Sequence, residues 1–272
     1  MTNQIELFSA AIVHKQKALD ALETLSLPQA KTELEIAHDI DPYLADVVTL
    51  IQAVDCLLEL EVGANTKATG LAKAWHRVQT AGEPLPPTLH RIVETRLCDR
   101  ILQLLPADYA DFVDAQAQTL HIGYCCLVCK RFEEAHKKLL DYLTGRPEET
   151  HPRLWGYFGD TAYRLRRRQE CNGGYTRALF MDAQTVDLER LQHPDLLRIY
   201  KELRSQHPEE TARALLPIHA WLENVLHIPR GSAFLQRVIQ EQRFDHSAEL
   251  LLHPAERYHQ FALCLFIDQA GL

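Results

Sequence analysis

Three groups of residues in this 272-residue chain combine types and spacings that could do chemistry. The first is His121, Cys125 and Cys129, which recur every four positions and so share one face of a helix, while Cys126 and Cys129 spell C-x-x-C. Thiolate and imidazole at that reach are zinc ligands. No second C-x-x-C pair completes a four-ligand set, and buried cysteine behaves as a small hydrophobe, so packing is the better reading. The second group is Glu-x-x-His, at Glu35/His38, Glu133/His136 and Glu256/His259. On a helix this spacing puts carboxylate and imidazole on one side, as in four-helix di-iron proteins, so a helical metalloenzyme with a di-metal centre is the alternative to a binding role. About one such pair arises by chance in a chain rich in both types. The apolar stripes flanking the first two pairs predict that Glu35 and His136 point outward. The third group is Arg164, Arg166, Arg167 and Arg168, the densest basic cluster. Guanidinium groups take phosphate and carboxylate partners; near a helix C-terminus they also complement the dipole and keep a turn solvated.

Other chemistry is missing from the sequence. It has no P-loop, no Gly-x-Gly-x-x-Gly, no nucleophile elbow and no His-Glu-x-x-His, the local signatures of the commonest catalytic sites. The expectation is a non-enzymatic chain with neither cofactor nor metal. A net charge of −8 and a pI near 5.9 argue against nucleic acid as a partner, because sequence-independent binding to phosphates needs a positive surface. The N-terminus lacks the positive flank and apolar core of a secretory signal. The longest apolar run, Phe261 to Ile267, is far below the ~18 residues of a membrane helix, so no membrane partner is expected. Seven cysteines, an odd number set mostly in apolar patterns, fit thiols in a reducing cytoplasm.

The elements that must position these groups read as helices. Glu, Leu, Ala, Arg and Gln dominate, and alternating β-branched runs are almost absent, which predicts an all-α fold. Ala30, Leu34 and Ala37 form an inward stripe after Pro28, ended by Asp41-Pro42. Helices are expected over 43–60, 66–80 and 88–105, the last with Ile92, Leu97, Ile101 and Leu105 as its stripe. The first two of these could form a degenerate repeat. The Gly82–Pro87 run marks a rigid turn or subdomain boundary. Beyond Asp187, helices are expected over 194–205, 208–226, 232–243 and 246–269, several opening near a Pro, Ser or Asp.

Within that helical frame one spacing recurs. Trp155, Phe158, Gly159 and Ala162 are followed by Cys171, Tyr175 and Ala178; Ile122, Gly123 and Cys126 are followed by Ala135, Leu139, Tyr142 and Pro147. In both, a small residue in a first helix precedes by twelve positions a small residue on the second. This resembles the tetratricopeptide repeat (TPR), a helix pair of ~34 residues. The match is clearest over 11–44, 116–149 and 152–185. The resemblance implies a right-handed α-α superhelix over 1–187 with a divergent helical region, 188–272, capping it or forming a small subdomain. It further implies a concave groove lined by first helices, built here from Ile12, Lys15, Leu19, Leu22 and Glu23, then Ala117, Leu120, Tyr124, Leu127 and Val128, then Arg153, Gly156, Asp160, Tyr163 and Arg164. The expected peptide-binding residues are Tyr124, Arg153, Asp160, Tyr163 and Arg164. Such a groove suits a protein or peptide partner with an acidic group that Arg153 and Arg164 receive. Asp160 stands where the carboxylate clamp of chaperone-binding members needs Asn, which argues against that specialised role. The implied function is a cytoplasmic scaffold or adaptor, with homo-oligomerisation left open.

Overall fold

A computed structural model describes residues 2–80, 85–146 and 151–227, with side chains from residue 10 onward. The expected helices at 232–243 and 246–269, the Glu256/His259 pair, residues 82–84 of the boundary turn and Pro147 lie outside the described residues. Within them the chain is all-helical: eleven α-helices, a short 3-10 turn and one isolated antiparallel bridge, Phe112 to His121. It divides into two compact units, Met1–Glu134 and Ala135–Leu272.

The first unit holds α1 (Thr2–Glu23), α2 (Leu27–Ile40), α3 (Val47–Glu59), α4 (Ala68–Thr80), α5 (Pro87–Leu104) and α6 (Ile122–Val128). Helices α1 and α2 pack as a hairpin, and Ala11, Ala18, Ala30 and Ala37 are fully buried; side chains this small let helix axes approach closely. Helix α5 is the common neighbour of α3, α4 and α6. Its buried face runs Leu89, Val93, Leu97 and Ile101, whereas Ile92 and Leu105 are only partly buried. The expected stripe was therefore rotated at both ends, because neighbours on several sides select the strict i, i+4 row. Glu94, on the same helix, is 5% exposed and accepts from Trp75 Nε1 at 3.1 Å, Gln79 Nε2 at 3.0 Å and Tyr124 Oη at 2.7 Å. Three donors satisfy a carboxylate that burial would otherwise penalise.

In the second unit, α7 (Phe132–Gly145) opens at the boundary and is followed by α8 (Pro152–Arg164), α9 (Arg168–Asp182), the 3-10 turn (Leu188–Arg190), α10 (Pro194–Gln206) and α11 (Glu209–Leu222). A single apolar cluster runs from Ala162 through Tyr175, Leu188 and Leu196 to Leu226. The core is thus continuous across position 187, where the sequence reading set a boundary.

One turn closes five of the described helices, at Leu25, Glu61, Lys130, Arg166 and Asn224, and three of these share one offset from a small residue. Seven residues after Ala18, Gly123 and Gly159 come Leu25, Lys130 and Arg166, with φ of 55°, 60° and 60°. The following amides donate back across the helix end: Ser26 to Ala21 O at 2.9 Å, Arg131 to Cys126 O at 2.8 Å, Arg167 to Ala162 O at 2.9 Å. That is the Schellman closure, in which a left-handed residue turns the chain and orphan carbonyls find donors. Non-glycine side chains strain this conformation by about 1–2 kcal/mol. The next helices begin at Leu27, Phe132 and Arg168, and their inward residues Leu34, Leu139 and Tyr175 are all buried.

Candidate functional site

Helices α8 and α9 meet glycine to glycine. A Cβ at Gly174 would lie 2.9 Å from the Gly159 nitrogen and 3.0 Å from its Cα; one at Gly159 would lie 2.8 Å from Cδ1 of Tyr175. This contact sets the tilt of α9 and seats Tyr175 fully buried beside α8. The Tyr175 hydroxyl donates to Asp160 Oδ1 at 2.5 Å, and the Gln192 amide donates to the same oxygen at 2.7 Å. Asp160 is 4% exposed. Burial raises its carboxyl from the ordinary 3.8 to about 7, against the stabilising hydrogen bonds from Tyr175 and Gln192. The buried carboxyl thereby ties the segment after the 3-10 turn to the helix pair.

Next to this tie is a cavity of about 600 Å³, within the range of ligand sites. Its inner wall includes Tyr175, Cys171 and His193, and its rim includes Tyr163 and Arg164, Arg166, Arg167 and Arg168. The His193 ring centroid lies 5.2 Å from that of Tyr163 and 5.8 Å from that of Tyr175. His193 Nδ1 is buried without a hydrogen-bond partner, and desolvation holds the imidazolium below its ordinary range. The remaining wall is the chain segment after α11, Val225 to His227. Asn172 clips that segment at both backbone groups: its Nδ2 donates to His227 O at 2.5 Å, and the His227 amide donates to its Oδ1 at 2.7 Å.

The arginines divide between the end of α8 and the start of α9. Arg164 ends α8, but Arg166 occupies the left-handed turn position, Arg167 is the N-cap of α9 and Arg168 opens α9. The dipole argument made from sequence holds for Arg164 and Arg166, at the end of α8, and fails for Arg167 and Arg168, because a helix N-terminus carries the positive end. No side chain caps α9. Glu170 in its first turn is 2.8 Å from His136 Nε2 and 3.7 Å from Arg167. Arg166 and Arg168 make no ion pair or side-chain hydrogen bond among the described residues.

Of the five groove residues expected from sequence, Tyr163 and Arg164 line the cavity. Asp160 lies behind it, with its carboxylate engaged internally. Arg153 is exposed, and its Nε donates to Thr185 O at 3.1 Å. Tyr124 belongs to the first unit, buried, with its hydroxyl on Glu94. Arg164 donates to Gln192 Oε1. Sequence reasoning missed Asn172, His193 and the 225–227 segment; only the placement of His193 just before Pro194 hinted at a structured turn.

The other two constellations have different surroundings. Cys129 and Cys171 are thiols raised to about 12, in both cases chiefly by burial. Glu35 is exposed as expected. His136 is not: it is buried, paired with Glu170 and centred 5.0 Å from the Phe158 ring. Helix α9 supplies the carboxylate that its own helix was expected to supply, and burial follows from that partner. Among the described residues no three His, Cys, Asp or Glu side chains are grouped to hold a metal ion, and no helix is long and apolar enough to cross a membrane.

Comparison of the chain with protein-family models, with curated proteins and with solved structures finds no match.

Proposed function

We propose that this chain is a non-enzymatic binding module made of TPR-like helix pairs, and that the arginine-rimmed cavity of its second unit receives an acidic segment of a protein partner. The right-handed stacking expected from the resemblance, and a reducing, cytoplasmic setting, belong to the same proposal. The observation that carries it is the placement of Arg167 and Arg168 at the uncapped start of α9, with Arg166 in the turn before it, all lining a cavity. Cations at the positive end of a helix are unfavourable by themselves and become favourable when an anion bridges them. Guanidinium forks hold carboxylates and phosphates through paired donors. The shared seven-residue offset of the turns at Leu25, Lys130 and Arg166 from Ala18, Gly123 and Gly159 supports the repeat reading; the turn itself also closes α3 and α11. The high thiol pKa of Cys171 supports a binding role over nucleophilic chemistry, since little thiolate is present at neutral pH.

The test is fluorescence anisotropy with a labelled acidic peptide library and a basic library of equal length. The acidic library should bind the parent, and Arg166→Gln/Arg168→Gln should weaken it about tenfold. Equal binding of both libraries, or an unchanged affinity in the variant, would overturn the site.

A further inference from the structure

We propose that the anionic group this cavity is built to take is a phosphomonoester carried on an extended peptide, so that the module reads a phosphorylated segment. This rests on the acidic-segment reading above and narrows it.

Charge balance is the first argument. Four guanidinium groups within five positions have one carboxylate in their turn, Glu170, and that group is already held by His136 at 2.8 Å. Glu170 touches only Arg167 among the four, at 3.7 Å. Arg166 and Arg168 remain without an ionic partner among the described residues. A carboxylate brings one negative charge and two acceptor oxygens. A phosphomonoester brings a charge of about −1.5 to −2 at neutral pH and three acceptor oxygens. It can therefore bridge two arginines at once and supply an acceptor to the first amides of α9, which no side chain caps.

Room and backbone recognition are the second. A volume of about 600 Å³ exceeds what one Asp or Glu side chain fills and leaves space for a phosphorylated side chain with its neighbours. At this wall Asn172 holds the carbonyl and the amide of His227. Val225 and Leu226, in the bend that closes α11, form an apolar part of the lining. The aromatic rings are less suited to a nucleobase, because the His193 ring already packs against Tyr163 and Tyr175. A peptide carrying phosphate satisfies both features. A bare nucleotide suits the charge but meets rings already packed on one another.

The experiment uses the full chain and three peptide libraries that differ only at a fixed central residue: phosphoserine, glutamate or serine. Direct titration at neutral pH should rank phosphoserine about tenfold or more above glutamate, with serine weakest. Inorganic phosphate should compete only at far higher concentration, since it lacks the neighbouring residues that would fill the cavity. The variant Arg166→Gln/Arg168→Gln should erase the phosphoserine preference while melting like the parent, both side chains being exposed. Glutamate binding as tightly as phosphoserine would overturn the phosphate assignment while leaving the acidic-segment reading intact. No binding by either anionic library would overturn both. Tighter binding of single-stranded RNA or free nucleotide than of the phosphopeptide would likewise reject the peptide as the carrier.

Discussion

At the scale of single residues, Asp160 is the most informative group. A carboxyl whose pKa in the folded chain lies above its unfolded value binds its proton more tightly when folded. Its contribution to stability is therefore lost as pH rises from about 4 to about 7, and is constant above that. Both its hydrogen bonds go to Oδ1, so Asp160→Asn keeps an acceptor in place for Tyr175 and Gln192 while removing the titration. Denaturant melts of parent and variant should diverge in favour of Asn between those pH values, by up to about 4 kcal/mol if the full shift is expressed. A difference that stays flat with pH would show that the carboxyl does not titrate in this range. The residue was visible in the sequence only as a groove position. Its burial depends on Tyr175 and Gln192, fifteen and thirty-two positions away, and a helix-face argument within α8 cannot supply either.

Among the elements, the α8–α9 pair is the one whose geometry follows most directly from residue size. Gly159 was legible from its spacing to Cys171 and Tyr175, because a repeat pattern records where side chains must be small. Gly174, its actual opposite, lies outside that pattern. Gly174→Ala brings a Cβ against Gly159 backbone, which cannot rotate away, and Gly159→Leu drives a side chain into the Tyr175 ring. Each should lower stability by about 1–3 kcal/mol, read as a fall in thermal midpoint. A variant melting like the parent would remove the close crossing. The hairpin turns were half legible. Their position followed from the end of each apolar stripe, yet leucine, lysine and arginine at positive φ carry no local signal of the kind glycine gives. They hold the left-handed position because helix closure and packing on both sides outweigh about 1–2 kcal/mol of strain.

For the whole molecule, charge distribution matters more than its sum. The chain carries a net −8, yet concentrates four arginines at one turn. Long-range repulsion from the remaining surface is screened over about 8–10 Å at moderate salt, whereas contacts inside the cavity are screened far less. Binding of an acidic peptide should therefore weaken only modestly as salt rises from low to physiological, and still less for Arg166→Gln/Arg168→Gln, which has lost two ionic contacts. A parent affinity that collapses with salt would place the contact on an open surface instead of in the cavity.

The sequence by itself determined that the described chain is helical, where most helices begin and end, and which small residues recur at a fixed interval. Those properties are written in composition, capping residues and a 3.6-residue period, all of them local. It also exposed the arginine cluster. Only the tertiary structure decided that two of those arginines, Arg167 and Arg168, open a helix instead of closing one, that Asp160 turns inward, that His136 pairs with Glu170, and that Asn172 grips the 225–227 segment. Each depends on a partner from another helix or a distant loop, and the energy that fixes it (desolvation set against a hydrogen bond or an ion pair) exists only once that partner has arrived.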